Sequence, residues 1–251
     1  NLASPRAWCW PRPTPMKKRN PVFTCSTPGR ARNPACASIE AQCITTAAVL
    51  LAAGSGSRMG LKPKSLLVLN GEPLIRRSAR QLLDAGVSQL VVVLGHYAAD
   101  IEAPLQGLPV HKVYNPDPDQ GLVSSQRLGL QALSDNTDTV IMSLADQPLL
   151  TTQDIQTLLH AFAPSTQDML FPFVNGQPGN PVLLSARARL EILAGESQFG
   201  CKEWRQSHAA QTLKLTTENL HFVTDLDRPE DIADFEKQYG MKLQWPPAWT
   251  D

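Results

Sequence analysis

Short apolar segments alternate with longer helix-like segments along most of the chain, and this alternation is the strongest constraint on its fold. One apolar segment, residues 90–94, reads Leu-Val-Val-Val-Leu without a polar interruption. Such a run is typical of a strand that is covered on both faces of a sheet. The segments predicted as strands are residues 47–52, 89–94, 110–114, 139–144 and 169–173.

Three segments between these strands have the length and pattern of helices, and a further helix is predicted to begin at Pro229. Helix starts are marked by Ser124 or Ser125 and by Thr151 or Thr152. Strands that alternate with helices imply right-handed crossovers and a mainly parallel sheet. The expected fold class is therefore α/β, a three-layer α/β/α sandwich with a Rossmann-like sheet. The three helical segments are residues 73–85, 123–133 and 152–162.

Residues 1–43 differ in composition from the rest of the chain. They contain seven of the 21 prolines and show no helical or strand periodicity, so we expect a disordered leader. This segment could be upstream sequence translated by accident, a cloning remnant or an Arg-rich transit peptide, and we favour the first two. The sequence thus predicts a leader or non-native extension at 1–43, a globular domain at 44–240, and an exposed or loosely docked tail at 241–251.

Charge and cysteine content narrow the class of protein. The net charge is zero, but the body after residue 43 holds 16 basic and 22 acidic residues, which argues against nucleic acid as a partner. No apolar run approaches the roughly 20 residues that cross a bilayer. Four of the five cysteines lie at or before Cys43 and lack the C-x-x-C spacing of zinc sites, so only Cys201 lies in the body. We therefore expect a reduced, cytoplasmic protein.

The first predicted strand runs directly into a loop suited to polyphosphate. Gly54 and Gly56 allow positive φ and close approach of a ligand to the backbone, and exposed backbone N–H groups form an anion-binding concavity. Arg58, Lys62 and Lys64 add positive charge. The loop lacks the Gly-Lys-Ser/Thr ending of a P-loop, and Met59 stands where a dinucleotide fingerprint needs its third glycine.

Carboxylates follow two other predicted strands. Asp146 comes one residue after the end of residues 140–144, and Asp225 and Asp227 come after residues 221–224, which are predicted as another strand. Ligands of parallel α/β sheets bind at the carboxyl ends of the strands, and Mg²⁺ prefers one or two carboxylates with phosphate oxygens and water. The sequence therefore predicts a Mg²⁺ site on Asp146 with Asp227 or Asp225, the other of these two capping the helix at Pro229.

A fourth polar segment joins Asn115 to a Gly-Leu-Val-Ser-Ser sequence at residues 121–125. Its serines are expected to open a helix whose N-terminal N–H groups face the site. That arrangement suits a base edge, a ribose or a phosphate, although plain helix capping by either serine is an equal alternative.

The loop and the segments after the strands together resemble the nucleotidyltransferases, whose signature is L-A-A-G-x-G-x-R-M followed by a K-P-K-like element. Within that superfamily the chain is most similar to the cytidylyltransferase branch of the molybdenum-cofactor enzymes, over residues 44 to about 236. Further matching pieces are Asp146-Gln-Pro148, Gly179-Asn180-Pro181 and residues 225–231. The departures are Asn180, where relatives usually have His, and Ala145, where Gly is common.

The resemblance implies a nucleotide-diphospho-sugar transferase-like fold, Mg²⁺ as cofactor, and Arg58, Lys64 and Asp146 as catalytic residues. It implies acceptor binding by Gly179 and Asn180, and metal binding by Asp146, Asp227 and Asp225. The residues implied to bind the nucleotide are Leu51, Ala52, Ala53, Gly54, Ser55, Gly56, Arg58, Lys64, Asn115, Gly121, Ser124 and Ser125.

The implied reaction transfers CMP from CTP, or from another NTP, to the phosphate of molybdopterin, with possible hand-over of the product to a molybdoenzyme. Catalysis then consists of positioning and charge neutralisation. Two alternatives stay open. The acceptor could be a sugar phosphate or another phosphorylated small molecule, or the chain could be a non-catalytic module that binds a cofactor and hands it over.

Overall fold

Strands and helices alternate along residues 44–250, which are the residues that the computed structural model describes. The predicted leader and the four cysteines up to Cys43 lie outside the described residues. The strands are β1 Thr46–Ala52, β2 Val68–Leu69, β3 Glu72–Pro73, β4 Gln89–Leu94, β5 His111–Tyr114, β6 Thr139–Leu144, β7 Met169–Val174, β8 Gln177–Pro178, β9 Val182–Ser185, β10 Thr212–Thr216 and β11 Leu243–Gln244. The α-helices are α1 Leu74–Asp84, α2 Ala98–Glu102, α3 Leu122–Gln131, α4 Thr152–Phe162, α5 Ala186–Ala194, α6 Cys201–Ser207 and α7 Pro229–Tyr239.

Seven strands of the described chain form the main sheet in the order β10, β7, β9, β6, β1, β4, β5, and the short β8 pairs with β7. β1 lies in the middle of the sheet, parallel to β4 on one side and to β6 on the other. β9 runs antiparallel to both of its neighbours, β6 and β7. The mainly parallel α/β sandwich predicted from the sequence is confirmed.

Successive residues of β1 point to opposite faces of the sheet, and both faces are buried. Leu50 packs in a cluster with Ile75 of α1 and Ile155 of α4. Its neighbour Val49 packs on the other face, in a cluster with Leu130 of α3. Because helices cover both faces, every position from Ala47 to Ala52 has to be apolar.

The predicted helices agree with the structure within two residues, and α4 has the predicted bounds. Thr151 caps α4, because its hydroxyl accepts a hydrogen bond from the backbone N–H of Asp154 and the Asp154 carboxylate accepts from the backbone N–H of Thr151. α3 begins earlier than expected, directly after Gly121. The expectation that Ser124 or Ser125 caps α3 is wrong, since both lie inside its first turn.

Residues 221–224 do not form the predicted strand. They lie in and just after a short 3₁₀ turn, Leu220–Phe222. The side chain of Asn219 accepts a hydrogen bond from the backbone N–H of His221, and the carbonyl of Leu220 accepts from the N–H groups of Val223 and Thr224. This local bonding satisfies the backbone groups that a strand would offer to a sheet.

The C-terminal segment pairs with the rest of the domain through β11, and residues 245–249 beyond it are half-buried or exposed. β11 pairs with β2 in a second, three-stranded sheet with the order β11, β2, β3. Leu243 is buried in a third apolar cluster together with Met59 and Phe235. Trp249 packs edge-on against Tyr97, with 5.4 Å between the ring centroids. None of the helices in residues 44–250 has the length and apolarity needed to span a membrane.

Candidate active site

A cleft of about 520 Å³ opens where β1 and β6 end, at the carboxyl edge of the parallel strands. The loop after β1, the turn after β6 and the segment before α7 meet there. The lining residues are Leu51, Ala52, Ala53, Gly54, Ser55, Gly56, Ser57, Arg58, Pro63, Lys64, Ser65, Ile101, Pro118, Asp119, Gly121, Leu122, Ser125, Leu144, Ala145, Asp146, Asp225 and Asp227.

The loop after β1, residues 54–64, is folded tightly around the backbone of Gly56. The carbonyl of Gly56 accepts hydrogen bonds from the N–H groups of Met59 and Leu61. Gly56 has φ +60°, and a Cβ there would lie 2.1 Å from the carbonyl oxygen of Lys62. Only glycine therefore fits this position, and the loop can close with its backbone toward the cleft.

Lys64 joins the loop to two of the carboxylates. Its Nζ donates to Asp146 Oδ2 at 2.7 Å and to Asp227 Oδ1 at 2.7 Å. Burial alone would lower the pKa of Lys64, but the charges and hydrogen bonds of the two aspartates outweigh burial and raise it. Lys64 therefore stays cationic at neutral pH, at the point where the three segments meet.

Asp227 also pairs with the signature arginine. Arg58 Nη1 donates to Asp227 Oδ2 at 3.1 Å, so each oxygen of Asp227 faces a cation. The hydrogen bond from Lys64 is the main cause that lowers the pKa of Asp227. The Arg58 side chain is 68% exposed, so this pair lies on the open side of the cleft.

Asp225 and Asp227 both line the cleft, on either side of the buried Leu226. The N–H of Leu226 donates to the carbonyl of Asp146, which fastens the two acidic turns together. The backbone N–H groups at Asp227 and Arg228 donate to Asp231 in the first turn of α7. The expectation that one of the two cleft aspartates caps α7 is therefore wrong.

The carboxylates of the cleft include one buried oxygen to which no protein group donates a hydrogen bond. Asp146 Oδ1 is buried and has no protein partner. Burial, followed by the nearby charges of Asp146 and Asp227, raises the pKa of Asp225. Among residues 44–250 no group of three His, Cys, Asp or Glu is arranged to hold a metal alone. The donor set instead fits a divalent cation that takes one or two carboxylates together with phosphate oxygens.

The predicted nucleotide-binding residues divide into two groups. Those of the β1 loop, with Gly121 and Ser125, line the cleft, whereas Asn115 and Ser124 do not. Asn115 is buried, and its Nδ2 donates to the hydroxyls of Ser124 and Ser125. These contacts hold the start of α3 beside the end of β5. Asn115 thus positions residues that line the cleft without lining the cleft itself.

The predicted acceptor residues lie outside the cleft lining. A Cβ on Gly179 would lie 2.4 Å from the carbonyl oxygen of Phe222, and the N–H of Asn180 donates to the same oxygen. That oxygen also accepts from Gln147 Nε2 at 3.2 Å. Gly179 and Asn180 thus pack next to the turn that carries Asp146, and their contact with an acceptor stays a prediction.

The sequence did not single out Asp119, which lines the cleft, or Tyr97, which contacts the β1 loop. Asp119 lines the cleft and lies 3.1 Å from His96 Nε2. The hydroxyl of Tyr97 lies against two carbonyls of the β1 loop. The available signal was their position: both residues follow the carboxyl ends of strands, as Asp146 does.

A family model described as MobA-like NTP transferase domain matches residues 48–212. The match includes the β1 loop, Lys64 and Asp146, and it ends before Asp225 and Asp227.

Two known proteins align with parts of the chain. Nicotine blue oxidoreductase of Paenarthrobacter nicotinovorans is 35% identical over 122 residues, which is 49% of this chain and 58% of that protein. The chain thus spans less than two thirds of that relative. Molybdenum cofactor cytidylyltransferase of Escherichia coli K12 is 23% identical over 192 residues, which is 76% of this chain and 95% of that protein.

One solved structure with the same fold is a nucleotidyl transferase from Methanothermobacter thermautotroptrophicus. It superposes with a TM-score of 0.65 at 23% identity, and the superposition covers 77% of this chain and 97% of that chain. At this level of identity the likeness concerns the fold alone.

Proposed function

Because the chain belongs to the MobA-like NTP transferase family, we propose that it transfers CMP from CTP to the phosphate of molybdopterin and releases pyrophosphate. The observation that carries the proposal is the contact of Lys64 with both Asp146 and Asp227 beside the β1 loop. The alignment with the Escherichia coli cytidylyltransferase over 95% of its length supports the choice of base and acceptor.

In the proposed reaction an oxygen of the acceptor phosphate attacks the α-phosphorus of the nucleotide. The bond from that phosphorus to the oxygen bridging to the β-phosphate breaks, and pyrophosphate leaves. Attacker and electrophile are both anionic, so the protein has to position them and neutralise charge. No general base is required, because the acceptor phosphate is already ionised near neutral pH.

The residues of the cleft divide this work. The backbone amides of the β1 loop and Arg58 hold the β- and γ-phosphates, and the exposed Arg58 side chain moves from Asp227 onto them. Lys64 holds the α-phosphate and the entering phosphate, and its raised pKa keeps it charged while it does so. Both cations exchange a carboxylate partner for a phosphate partner when the substrate enters.

Asp146 and Asp225 are the residues proposed to hold the divalent cation. Both oxygens of Asp227 already accept from Arg58 and Lys64, whereas Asp146 Oδ1 has no protein partner. A bound divalent cation would neutralise triphosphate oxygens and stabilise the leaving pyrophosphate. Asp227 then serves to orient the two cationic side chains.

Pyrophosphate release from each of the four NTPs, with molybdopterin and Mg²⁺ present, tests the proposal. Release with CTP that depends on molybdopterin is expected, and it should be lost in Asp146→Asn. The control is Asp234→Asn, an exposed carboxylate on α7, which should behave as the wild type. Pyrophosphate release that occurs only with a sugar phosphate would contradict molybdopterin as the acceptor. Nucleotide binding without pyrophosphate release would contradict a catalytic role.

The partial match to nicotine blue oxidoreductase adds one arm to the assay. Oxidation or reduction of nicotine blue by the purified protein, without pyrophosphate release from any NTP, would contradict nucleotidyl transfer.

A further inference from the structure

Tyr97 lies at the exit of β4, directly beneath the β1 loop. Its hydroxyl oxygen is 2.8 Å from the carbonyl oxygen of Ser55 and 2.6 Å from that of Leu61. One hydroxyl proton is shared between these two acceptors. Ser55 and Leu61 lie on either side of the segment that contains Arg58, so a single side chain joins the two ends of the anion-binding part of the loop.

The backbone around Tyr97 is fixed against the start of the same loop. Gly95, two residues earlier, packs so closely that a Cβ there would lie 2.5 Å from the carbonyl oxygen of Ala53. The Tyr97 ring also packs against the ring of Trp249 at an interplanar angle of 87°. Burial raises the pKa of Tyr97, so the hydroxyl keeps its proton and remains a donor throughout the physiological range.

We infer that Tyr97 is a positioning residue for the anion-binding loop, and that the docked C-terminal segment supports it through Trp249. Tyr97 touches no reacting atom in this account. It holds residues 55–61 in the conformation that presents backbone N–H groups and Arg58 to a polyphosphate, which reduces the ordering that binding would otherwise require. The role as a triphosphate positioner rests on the proposed function, whereas the restraint on the loop does not.

Tyr97→Phe tests the inference, because it removes the hydroxyl and keeps the ring against Trp249. The matched control is Tyr114→Phe, whose hydroxyl donates to Glu102 at 2.5 Å on the exposed strand β5. The first measurement is amide hydrogen exchange of peptides covering residues 54–62 in the ligand-free protein. Exchange should be at least about fivefold faster in Tyr97→Phe than in the wild type, and unchanged in Tyr114→Phe.

The second measurement is the equilibrium Kd for CTP with Mg²⁺, with KM and kcat beside it. Tyr97→Phe is expected to raise Kd and KM about tenfold and to change kcat by less than about threefold, since the loop contacts substrate and transition state alike. Unchanged exchange of the loop would overturn the inference whatever the cleft binds. Absence of CTP binding by the wild type, with faster exchange in Tyr97→Phe, would contradict the proposed function and leave the restraint on the loop standing.

Discussion

At the scale of single residues, the site depends on one lysine that neutralises two carboxylates. Lys64 is only 20% exposed and lies within hydrogen-bond distance of two carboxylates. Removing it would leave Asp146 and Asp227 facing each other without their shared counter-charge. The same side chain is the one that we propose to hold an entering phosphate, so its loss should affect both the empty and the loaded site.

Lys64→Ala is expected to lower kcat about 10²-fold, as found when a charge aimed at a transition state is removed. Steady-state kinetics with CTP and the acceptor give the measurement. Lys237→Ala, on the exposed side of α7, is the control and should retain wild-type rates. A change confined to KM would instead make Lys64 a uniform binder of substrate.

Lys64→Ala is also expected to tighten Mn²⁺ binding in the absence of nucleotide, by about tenfold. The ammonium group already occupies Oδ2 of Asp146, one of the two carboxylates proposed to hold the divalent cation. The like charges of the ammonium group and the cation also repel at close range. Electron paramagnetic resonance of unbound Mn²⁺ measures the affinity, again with Lys237→Ala as the reference. Unchanged or weaker Mn²⁺ binding in Lys64→Ala would show that the lysine does not oppose the metal.

Most residues that line the cleft were predictable because they follow strands directly. Asp146 needed only the rule that parallel strands end at one edge. Asp225 and Asp227 follow a 3₁₀ turn and not the predicted strand, and the hydrogen bond from the N–H of Leu226 to the carbonyl of Asp146 holds them at the cleft. The position of Tyr97 after β4 indicated that it lies near the cleft, but its partners were not predictable, because Ser55 and Leu61 lie 42 and 36 positions away in the chain. A contact between a hydroxyl and a carbonyl leaves no spacing or periodicity in the sequence.

At the scale of elements, the β1 loop offers a matched pair of glycines. Gly56 and Gly60 both have positive φ, but a Cβ at Gly56 would collide with the carbonyl of Lys62, whereas Gly60 has no atom within 4 Å of its Cβ position. Gly60→Ala thus carries only backbone strain of roughly 1–2 kcal/mol. Gly56→Ala carries that strain and also forces the loop to open.

Gly56→Ala is therefore expected to weaken CTP binding at least about tenfold more than Gly60→Ala. Titration calorimetry gives both values, and thermal unfolding shows whether each variant remains folded. Equal effects of the two substitutions would mean that the closed shape of the loop is unimportant for binding.

Helix α4 and the turn that precedes Asp225 are joined by one carboxylate. Asp154 accepts from the side chains of Thr151, Asn219 and His221. Burial opposes ionisation of Asp154, but the hydrogen bonds from Thr151 and His221 outweigh it and lower the pKa below its ordinary value of 3.8. The ionised carboxylate is thus favoured more in the native state than in the unfolded chain.

Asp154→Asn is expected to lower the free energy of unfolding by about 1–2 kcal/mol at pH 7. The native pKa lies below the unfolded one, so this stabilisation is fully present above about pH 4 and is lost as pH falls through the native value. Urea unfolding between pH 7 and pH 3 should therefore show that the difference in the free energy of unfolding between the wild type and Asp154→Asn becomes smaller as the pH falls. Asp234→Asn is the reference variant. A difference in the free energy of unfolding that does not change with pH would contradict a stabilising role of the ionised Asp154.

Elements with a local signal were predicted well, and those without one were missed. The bounds of α4 follow from its capping residues, and β1, β4 and β6 follow from their apolar composition. Strand β9 is four residues long and antiparallel within a mostly parallel sheet, so neither length nor alternation marked it. The strand predicted at 221–224 was wrong, because Asn219 provides local hydrogen bonds that the apolar pattern does not reveal.

At the scale of the whole molecule, the resemblance to the nucleotidyltransferases is confirmed as a family relationship. The pairing of the C-terminal segment through β11 was not foreseen, since two-residue β11 and the tryptophans at 245 and 249 have no periodicity of their own. The structure shows which parts of the domain the segment contacts. It completes the apolar cluster below the β1 loop through Leu243 and supports Tyr97 through Trp249.

The central claim is that three distant segments form one metal-assisted site for nucleotidyl transfer. Its most direct test follows a radiolabelled α-phosphate of CTP in the presence of Mg²⁺ and molybdopterin. We expect the label to move into a pterin-containing product in step with pyrophosphate release, and Asp146→Asn to abolish both. Label that remains in CTP, or that appears only as free CMP whether or not the pterin is added, would contradict the claim.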